Sequence, residues 1–260
     1  MNILKSIDAR KKNYYLSHYD KTEYGKNLAT LKNKYKGKRC FIIGNGPSLK
    51  AEDLDKLKNE YTFAFNRIYY MFDQTEWRPS FYCTQDIKIA QSSWKEIQDN
   101  ITTPYIFAPI NLKWYYGVEL NTGYYFNQKQ TEKETDLPLF SEDIVKEIGV
   151  GNTVAYTAMQ IAVYMGFTEI YLLGVDHNFK VSQDMNGNVI VDNSVKDYFC
   201  DKYNEDKENL FIPKLDISTL SYISARKYID EHQNVKIYNA TRGGKLEVFE
   251  RKDFDSLFKI

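Results

Sequence analysis

The stretch Lys38–Lys50, KRCFIIGNGPSLK, restricts the fold more than any other part of the chain. Cys40, Phe41, Ile42 and Ile43 form a short apolar run, the pattern of a buried parallel strand. Gly44, Asn45, Gly46, Pro47 and Ser48 break it with turn residues. Leu49, Leu54 and Leu57 then recur at helical spacing among Lys, Glu and Asp. Strand, glycine turn and helix start make a βα unit. The expected class is α/β: a Rossmann-like, mostly parallel sheet with helices on both faces and a lid or insert. Such a turn directs backbone N–H groups and a helix dipole at the space above the strand, where a phosphate commonly sits. Two glycines would let the backbone approach a ligand. The alternative is an ordinary turn with Ser48 as helix N-cap. Neither GxGxxG nor GxxxxGK[ST] is present, but first βα turns often carry nucleotide phosphates.

Further strands end in polar residues, where open α/β sheets bind ligands. Tyr61–Phe65 (YTFAF) ends in Asn66 and Arg67. Asn66 suits a base or sugar, and Arg67 a carboxylate or phosphate. Pro79–Thr84 (PSFYCT) ends in Gln85 and Asp86; Asp86 would accept from a ribose hydroxyl or cap the next helix. Pro104–Ala108 reads as a fourth strand, and the aromatic segment 109–140 as an insert over an acceptor. Val154–Met165 is apolar nearly all round, so a central buried helix is expected, with Asn152 or Thr153 as its cap. Its N-terminus would be a second anion site.

Glu169–Gly174 (EIYLLG) reads as a buried strand leading into Asp176, His177, Asn178 and Phe179. His177 is one of three histidines; His18 and His232 fall in surface segments. Imidazole titrates near neutrality, so His177 is either a general base or a structural histidine. Segment 180–212 is polar and reads as a mobile loop over the site, bearing Tyr198 and Tyr203. Leu215–His232 is an amphipathic helix and Val235–Tyr238 a last strand, ending in Asn239-Ala240-Thr241-Arg242-Gly243-Gly244.

Lys and Arg total 35, and Asp and Glu total 35. Zero net charge argues against a dedicated nucleic-acid binder. Three scattered cysteines offer neither metal spacing nor a disulfide framework, and no HxH, HxxxH or DxD pattern appears. No protein-held metal is expected. No signal-peptide or membrane-spanning run is visible, so the expected location is the cytoplasm. Whether the Lys-rich N-terminus meets a membrane surface, and whether the chain forms a homo-oligomer, stays open. Residues 1–36 read as a helical lead-in (Ile3, Leu4, Ile7, Leu28 and Leu31 among charges), and 37–260 as one Rossmann-like domain with inserts at 109–140 and 180–212.

GNGPSL after the first strand, NRIYY after the second, Asp86 after FYCTQ, the GNT-led helix with EIYLLGVDHNF, and NATRGGKLEVFER together resemble bacterial family DUF115. That group includes polysaccharide-associated glycosyltransferases and archaeal 6-hydroxymethylpterin pyrophosphokinase-like proteins. More remotely, GNGPSLK and GFTEIYLLGVD are similar to the Campylobacter-type sialyltransferases of glycosyltransferase family 42. The resemblance spans roughly residues 36–255 and implies a nucleotide-sugar-binding domain, a GT-A-like variant as in family 42. It implies a CMP-sugar donor and a glycan acceptor, with no cofactor and no essential metal. It assigns the CMP phosphate and ribose to Gly44, Asn45, Gly46, Pro47 and Ser48, and the nucleotide and donor sugar to Asn66. Thr153 matches the Thr that opens the central helix.

The sequence also departs from family 42. Gly151 stands where the motif has Arg, and Asn178 where a Tyr assists the leaving phosphate. No histidine lies between 178 and 231, and Tyr198-Phe199 replaces His-Phe. The general base therefore falls to His177, Asp176 or Tyr198. The nucleotide site is expected to comprise the glycine turn with Asn66, Arg67, Asp86, Asn152, Thr153, Asn178 and Tyr203.

The preferred reading is an inverting glycosyltransferase of surface polysaccharide (capsule) biosynthesis. The alternatives are an ATP- and Mg²⁺-dependent pterin pyrophosphokinase-like transferase, with Asp86 and Asp176 holding magnesium, and a non-catalytic nucleotide-binding partner.

Overall fold

The computed structural model describes residues 3–259. Its frame grows outward from β1 (Arg39–Ile43), whose residues from Cys40 onward are all buried. The chain then lays down β2 (Tyr61–Phe65), β3 (Phe81–Cys83), β4 (Ile106–Pro109) and β5 (Tyr124–Phe126) to one side. Two short strands, β6 (Gln128–Lys129) and β7 (Ile148–Gly149), pair apart from this sheet. The chain returns to the other side of β1 with β8 (Glu169–Leu173), and continues through β11 (Lys236–Asn239) to β12 (Glu250–Arg251). Between them β9 (Val181–Gln183) and β10 (Val189–Val191) form a separate antiparallel hairpin. The sheet order is β12-β11-β8-β1-β2-β3-β4-β5 and every pairing is parallel. This is the α/β, Rossmann-like class expected from the first βα unit.

The topology reverses between β1 and β8, which run in register from Arg39 opposite Glu169 to Ile43 opposite Leu173. Connections leaving neighbouring strands in opposite directions open a crevice at the carboxyl ends. The GNGPS and GVDHN turns therefore lie side by side.

The helices are α1 (Ile3–Ser17), α2 (Glu23–Ala29), α3 (Ala51–Lys56), α4 (Ile87–Asn100), α5 (Ile110–Tyr116), α6 (Val154–Tyr164) and α7 (Leu215–Glu231). As its composition predicts, α6 is buried on all sides but one, leaving only Val163 partly exposed. In the lead-in, Leu28 and Leu31 are buried; the side chains of Ile3, Leu4 and Ile7 lie outside the described residues. No described helix is long and apolar enough to cross a membrane.

Two expectations change. Part of the aromatic insert is core: β5 is the edge strand of the main sheet, and Tyr125 and Phe126 are buried. Tyr125 solves the problem of a buried phenol by accepting the Leu120 N–H at 2.8 Å. Segment 180–212 is no plain loop either. It opens with the β9–β10 hairpin, turned by Asn186 and Gly187 (φ +84°), and then covers the carboxyl ends of the strands with two 3₁₀ turns.

Candidate functional site

The floor of the site is the junction of the two turns. Gly44 N–H donates to the Leu173 carbonyl at 2.7 Å, and Gly46 N–H to the Gly174 carbonyl at 2.9 Å. A Cβ on Gly44 would overlap the Gly174 carbonyl, and one on Gly46 the Asp176 carboxylate. The glycines thus serve the approach of one turn to the other, not of backbone to ligand. Ser48 is not a helix cap, because α3 begins after Lys50. Its hydroxyl donates instead to Asp176 Oδ2 at 2.7 Å. From the far side, Lys245 N–H donates to the Asp176 carbonyl at 2.8 Å. Val175 N–H donates to Thr241 Oγ1 at 3.1 Å. Asp176 is therefore a clip between three strand ends. Burial lifts its carboxyl above the usual range, against the hydrogen bonds from Ser48. That role leaves it poorly placed as general base or metal ligand.

Above this floor lies a cavity of about 750 Å³. The structure brings to it Gly44, Asn45, Gly46, Asn66, Asp86, Asn152, Thr153, Asp176, His177, Asn178, Tyr198 and Tyr203. Pro47, Ser48 and Arg67 do not line it. Three of these wall residues hold left-handed backbone: Asn66 (φ +52°), Asn152 (φ +54°) and His177 (φ +52°). Asn tolerates this region; histidine does so at a cost, and strain of this kind gathers at functional sites.

Asn45 is 7% exposed. Its Nδ2 donates to the Phe65 carbonyl at 3.0 Å and to the Tyr203 hydroxyl at 3.3 Å, which fixes the orientation of the amide. Asn45 Oδ1 is buried without a partner, and so is Asn66 Oδ1. An unsatisfied buried acceptor costs about 1–3 kcal/mol. Both residues line the cavity, while the two oxygens themselves are closed off from it.

Arg67 is turned away from the cavity and buried. It donates to Asp206 Oδ2 at 2.7 Å and to the Tyr203 carbonyl at 3.2 Å, so it anchors the covering segment and does not meet a phosphate. Asp86 is the N-cap of α4, accepting from Ile89 N–H at 3.1 Å. Burial lifts its carboxyl, against the donations of the Ile89 and Lys88 backbone. Thr153 holds the N-cap position of α6 but makes no side-chain cap, and Asn152 does not supply one. The first N–H groups of a helix have no intrahelical acceptor. Here Val154 and Ala155 line the cavity, so the positive end of α6 opens onto it.

His177 Nε2 lies 2.7 Å from Thr219 Oγ1, whose own proton goes to the Leu215 carbonyl at 2.8 Å. The arrangement that satisfies both puts the imidazole proton on Nε2 and the lone pair on Nδ1. Burial lowers its pKa to about 4, with Asp216 pulling the other way, so the ring is neutral at physiological pH. Tyr198 stacks on Tyr203 with ring centroids 3.8 Å apart. Burial raises both phenols, which stay protonated and can donate but not accept a proton. Tyr198 is thus not a base.

Sequence reasoning missed Thr219 and Tyr222 of α7. Tyr222 packs edge-on to His177 and lines the cavity. The signal is a polar strip on that helix, Ser218, Ser221 and Tyr222. Gly151, where the resemblance expects Arg, has its Cβ position filled by Tyr156 and Ser221. A long side chain has no room there. Among the described residues the cations on the wall are Lys88 and Lys214, and both are engaged: Lys88 by the carbonyls of Glu208 and Leu210, Lys214 by Glu134.

The sequence model of the 6-hydroxymethylpterin diphosphokinase MptE-like family matches residues 13–182, which is 170 of the 260 residues. No curated protein matches the chain. Among solved structures, the MAf glycosyltransferase from Magnetospirillum magneticum AMB-1 is similar at 15% identity and a TM-score of 0.52. That likeness covers 90% of this chain but 38% of the other, and it shows a shared fold. The Campylobacter jejuni sialyltransferases CstII (17% identity, TM-score 0.47) and Cst-I (17%, 0.48) align over 82% and 84% of this chain and 85% and 81% of theirs.

Proposed function

The chain belongs to the 6-hydroxymethylpterin diphosphokinase MptE-like family, and from that premise we propose that it is a glycosyltransferase using a CMP-activated donor. The observation that carries this reading is the N-terminus of α6, which has no side-chain cap and opens onto the cavity beside the GNGPS turn. A ribose offers two neighbouring hydroxyl donors and cytosine an amino group, which the Asn45 and Asn66 amides would meet once a side-chain movement exposes their Oδ1 atoms. The open N-terminus of α6 suits its phosphate. The shared fold with a glycosyltransferase supports the same reading.

In this mechanism the acceptor hydroxyl attacks the anomeric carbon as the bond to the CMP phosphate breaks. The sugar passes through an oxocarbenium-like state, and direct displacement inverts the centre. The α6 N-terminus and the Tyr198 hydroxyl stabilise the departing phosphate. His177 Nδ1 takes the acceptor proton. With a pKa of about 4 it is a weak base, so transfer comes late, when the attacking oxygen has become acidic. Among the described residues the wall has no free cation, so the carboxylate of an acidic donor sugar would rely on neutral donors. The role in surface polysaccharide assembly is part of the same proposal.

The family description favours a second reading, an ATP-dependent diphosphokinase. It would need Asp86 and Asp176 for magnesium, and one oxygen of each is already engaged, in capping α4 and in clipping the turns. A thermal-shift screen with CMP, CDP, UDP, GDP and ATP, with and without Mg²⁺, separates the two. A metal-independent shift with CMP or CDP that disappears in Asn45→Ala and Asn66→Ala is expected. A shift confined to ATP with Mg²⁺ would transfer the assignment to the diphosphokinase. Unchanged CMP binding in both variants would remove the site.

A further inference from the structure

The cavity has a polar floor and an apolar doorway. Leu210, Phe211, Ile212 and Pro213 line it on the side of the covering segment. Phe211 is 54% exposed and Ile212 44%. Large apolar side chains half in a cavity and half in water are costly unless something covers them.

The exposure is held in place on both sides. Lys88 Nζ donates to the carbonyls of Glu208 (2.9 Å) and Leu210 (3.1 Å), and lies 4.9 Å from the Phe211 ring centroid. Gln183 N–H donates to the Pro213 carbonyl at 2.8 Å, which ties the doorway to the β9–β10 hairpin. That hairpin presents Val189, Ile190 and Val191 in succession, each more than half exposed. The hairpin tied to the doorway thus carries exposed apolar side chains of its own.

We propose that the acceptor is a glycoside with an apolar aglycone, a lipid-linked or alkyl glycoside, whose chain lies on Phe211 and Ile212 while its sugar enters the cavity. This rests on the transferase reading, in which a glycan acceptor must reach the cavity past the covering segment. Continuity with the cavity argues for a substrate group and not a protein partner. Charge argues against an anionic bilayer: segment 180–216 carries eight acidic and five basic residues.

The test compares octyl and methyl β-galactosides and β-glucosides, below micelle-forming concentrations, by saturation-transfer NMR and calorimetry on the whole chain. The octyl forms should bind about tenfold or more tightly than the methyl forms, since burying even two methylenes suffices. Saturation should fall on the alkyl protons. The double variant Phe211→Ser, Ile212→Ser should lose that advantage, while Ile223→Ser, an exposed apolar residue on α7, should keep it. These side chains are largely exposed, so the fold should tolerate their loss.

Equal binding of octyl and methyl glycosides, or an octyl advantage that survives in the double variant, would overturn the proposal. So would sedimentation with neutral phosphatidylcholine vesicles in the absence of binding to monomeric octyl glycoside, which would make the doorway a membrane contact. The nucleotide screen runs beside it. An octyl preference without nucleotide binding sinks the transferase reading alone; nucleotide binding without an octyl preference sinks this proposal alone.

Discussion

In the floor of the cavity, Gly44 and Gly46 donate to the carbonyls that end β8, and Ser48 and Lys245 close on Asp176 from either side. In the roof, residues 197–212 reach the rest of the chain through a few anchors: Arg67 to Asp206, Lys88 to two carbonyls, and Phe199 N–H to the Asn45 carbonyl at 3.1 Å. The floor spends its backbone donors on itself and leaves side-chain amides for a ligand. The roof spends its charges on anchoring and leaves aromatic and apolar surface. On the proposed transferase reading, donor recognition falls to the floor, and acceptor selection with water exclusion to the roof.

Substitution should expose this contrast most sharply at Gly46. A Cβ there meets Asp176, so Gly46→Ala must part the two turns. The expected loss is about 3 kcal/mol, together with loss of nucleotide binding, read by denaturant unfolding and the CMP thermal shift. Full stability with retained CMP binding would mean that the turns are not interlocked.

Acid should weaken the floor next. The folded pKa of His177 is about 4, below the ordinary 6.5, so the unfolded chain binds the proton first. Its contribution is fully present above pH 6.5, falls as the pH drops, and is gone below about 4, a change of up to about 3 kcal/mol. Asp86 and Asp176 shift upward and act in the opposite sense, so the readout is the difference between the native chain and His177→Gln. The stability of the native chain relative to that variant should fall between pH 6.5 and 4. A constant difference would place the imidazole in water.

For the roof, Arg67→Met is the sharper tool. It removes the ion pair to Asp206 and the bond to the Tyr203 carbonyl. Asp206 is about one-third exposed and can rehydrate, so the loss should be about 2 kcal/mol, below that of a fully buried pair. Hydrogen exchange should rise in 197–212 and stay unchanged in β1 and β8. Equal loosening of both would erase the distinction between floor and roof.

The floor was largely legible in the sequence and the roof was not. Short apolar runs ending in GNGPS, NR and GVDHN mark strands and their carboxyl ends through local pattern alone. What those turns do depends on which strands are neighbours. Ser48 read as a phosphate contact or a cap, and Asp176 as a catalytic carboxylate, because nothing local shows that β1 adjoins β8. Arg67 read as an anion ligand because its partner, Asp206, lies 139 residues away. The aromatic run around Tyr125 read as insert because a three-residue edge strand has too few positions for alternation to register.

The smallest expected effect bears on the polar contact between His177 and α7. In Thr219→Val the imidazole N–H of His177 loses its acceptor, at a cost of about 1 kcal/mol. The ring stays buried against Tyr222, so its pKa should remain well below 6.5. What changes is the tautomer. In the native chain the ¹⁵N shifts should show a protonated Nε2 and a bare Nδ1; in the variant the two tautomers should mix. If His177 takes the acceptor proton through Nδ1, turnover should fall in step with the population of that tautomer while the affinity for CMP holds. A bare Nε2 in the native chain would reverse the assignment: Thr219 would then be the donor, Nδ1 would carry the proton, and the floor would offer the acceptor hydroxyl no base at that position.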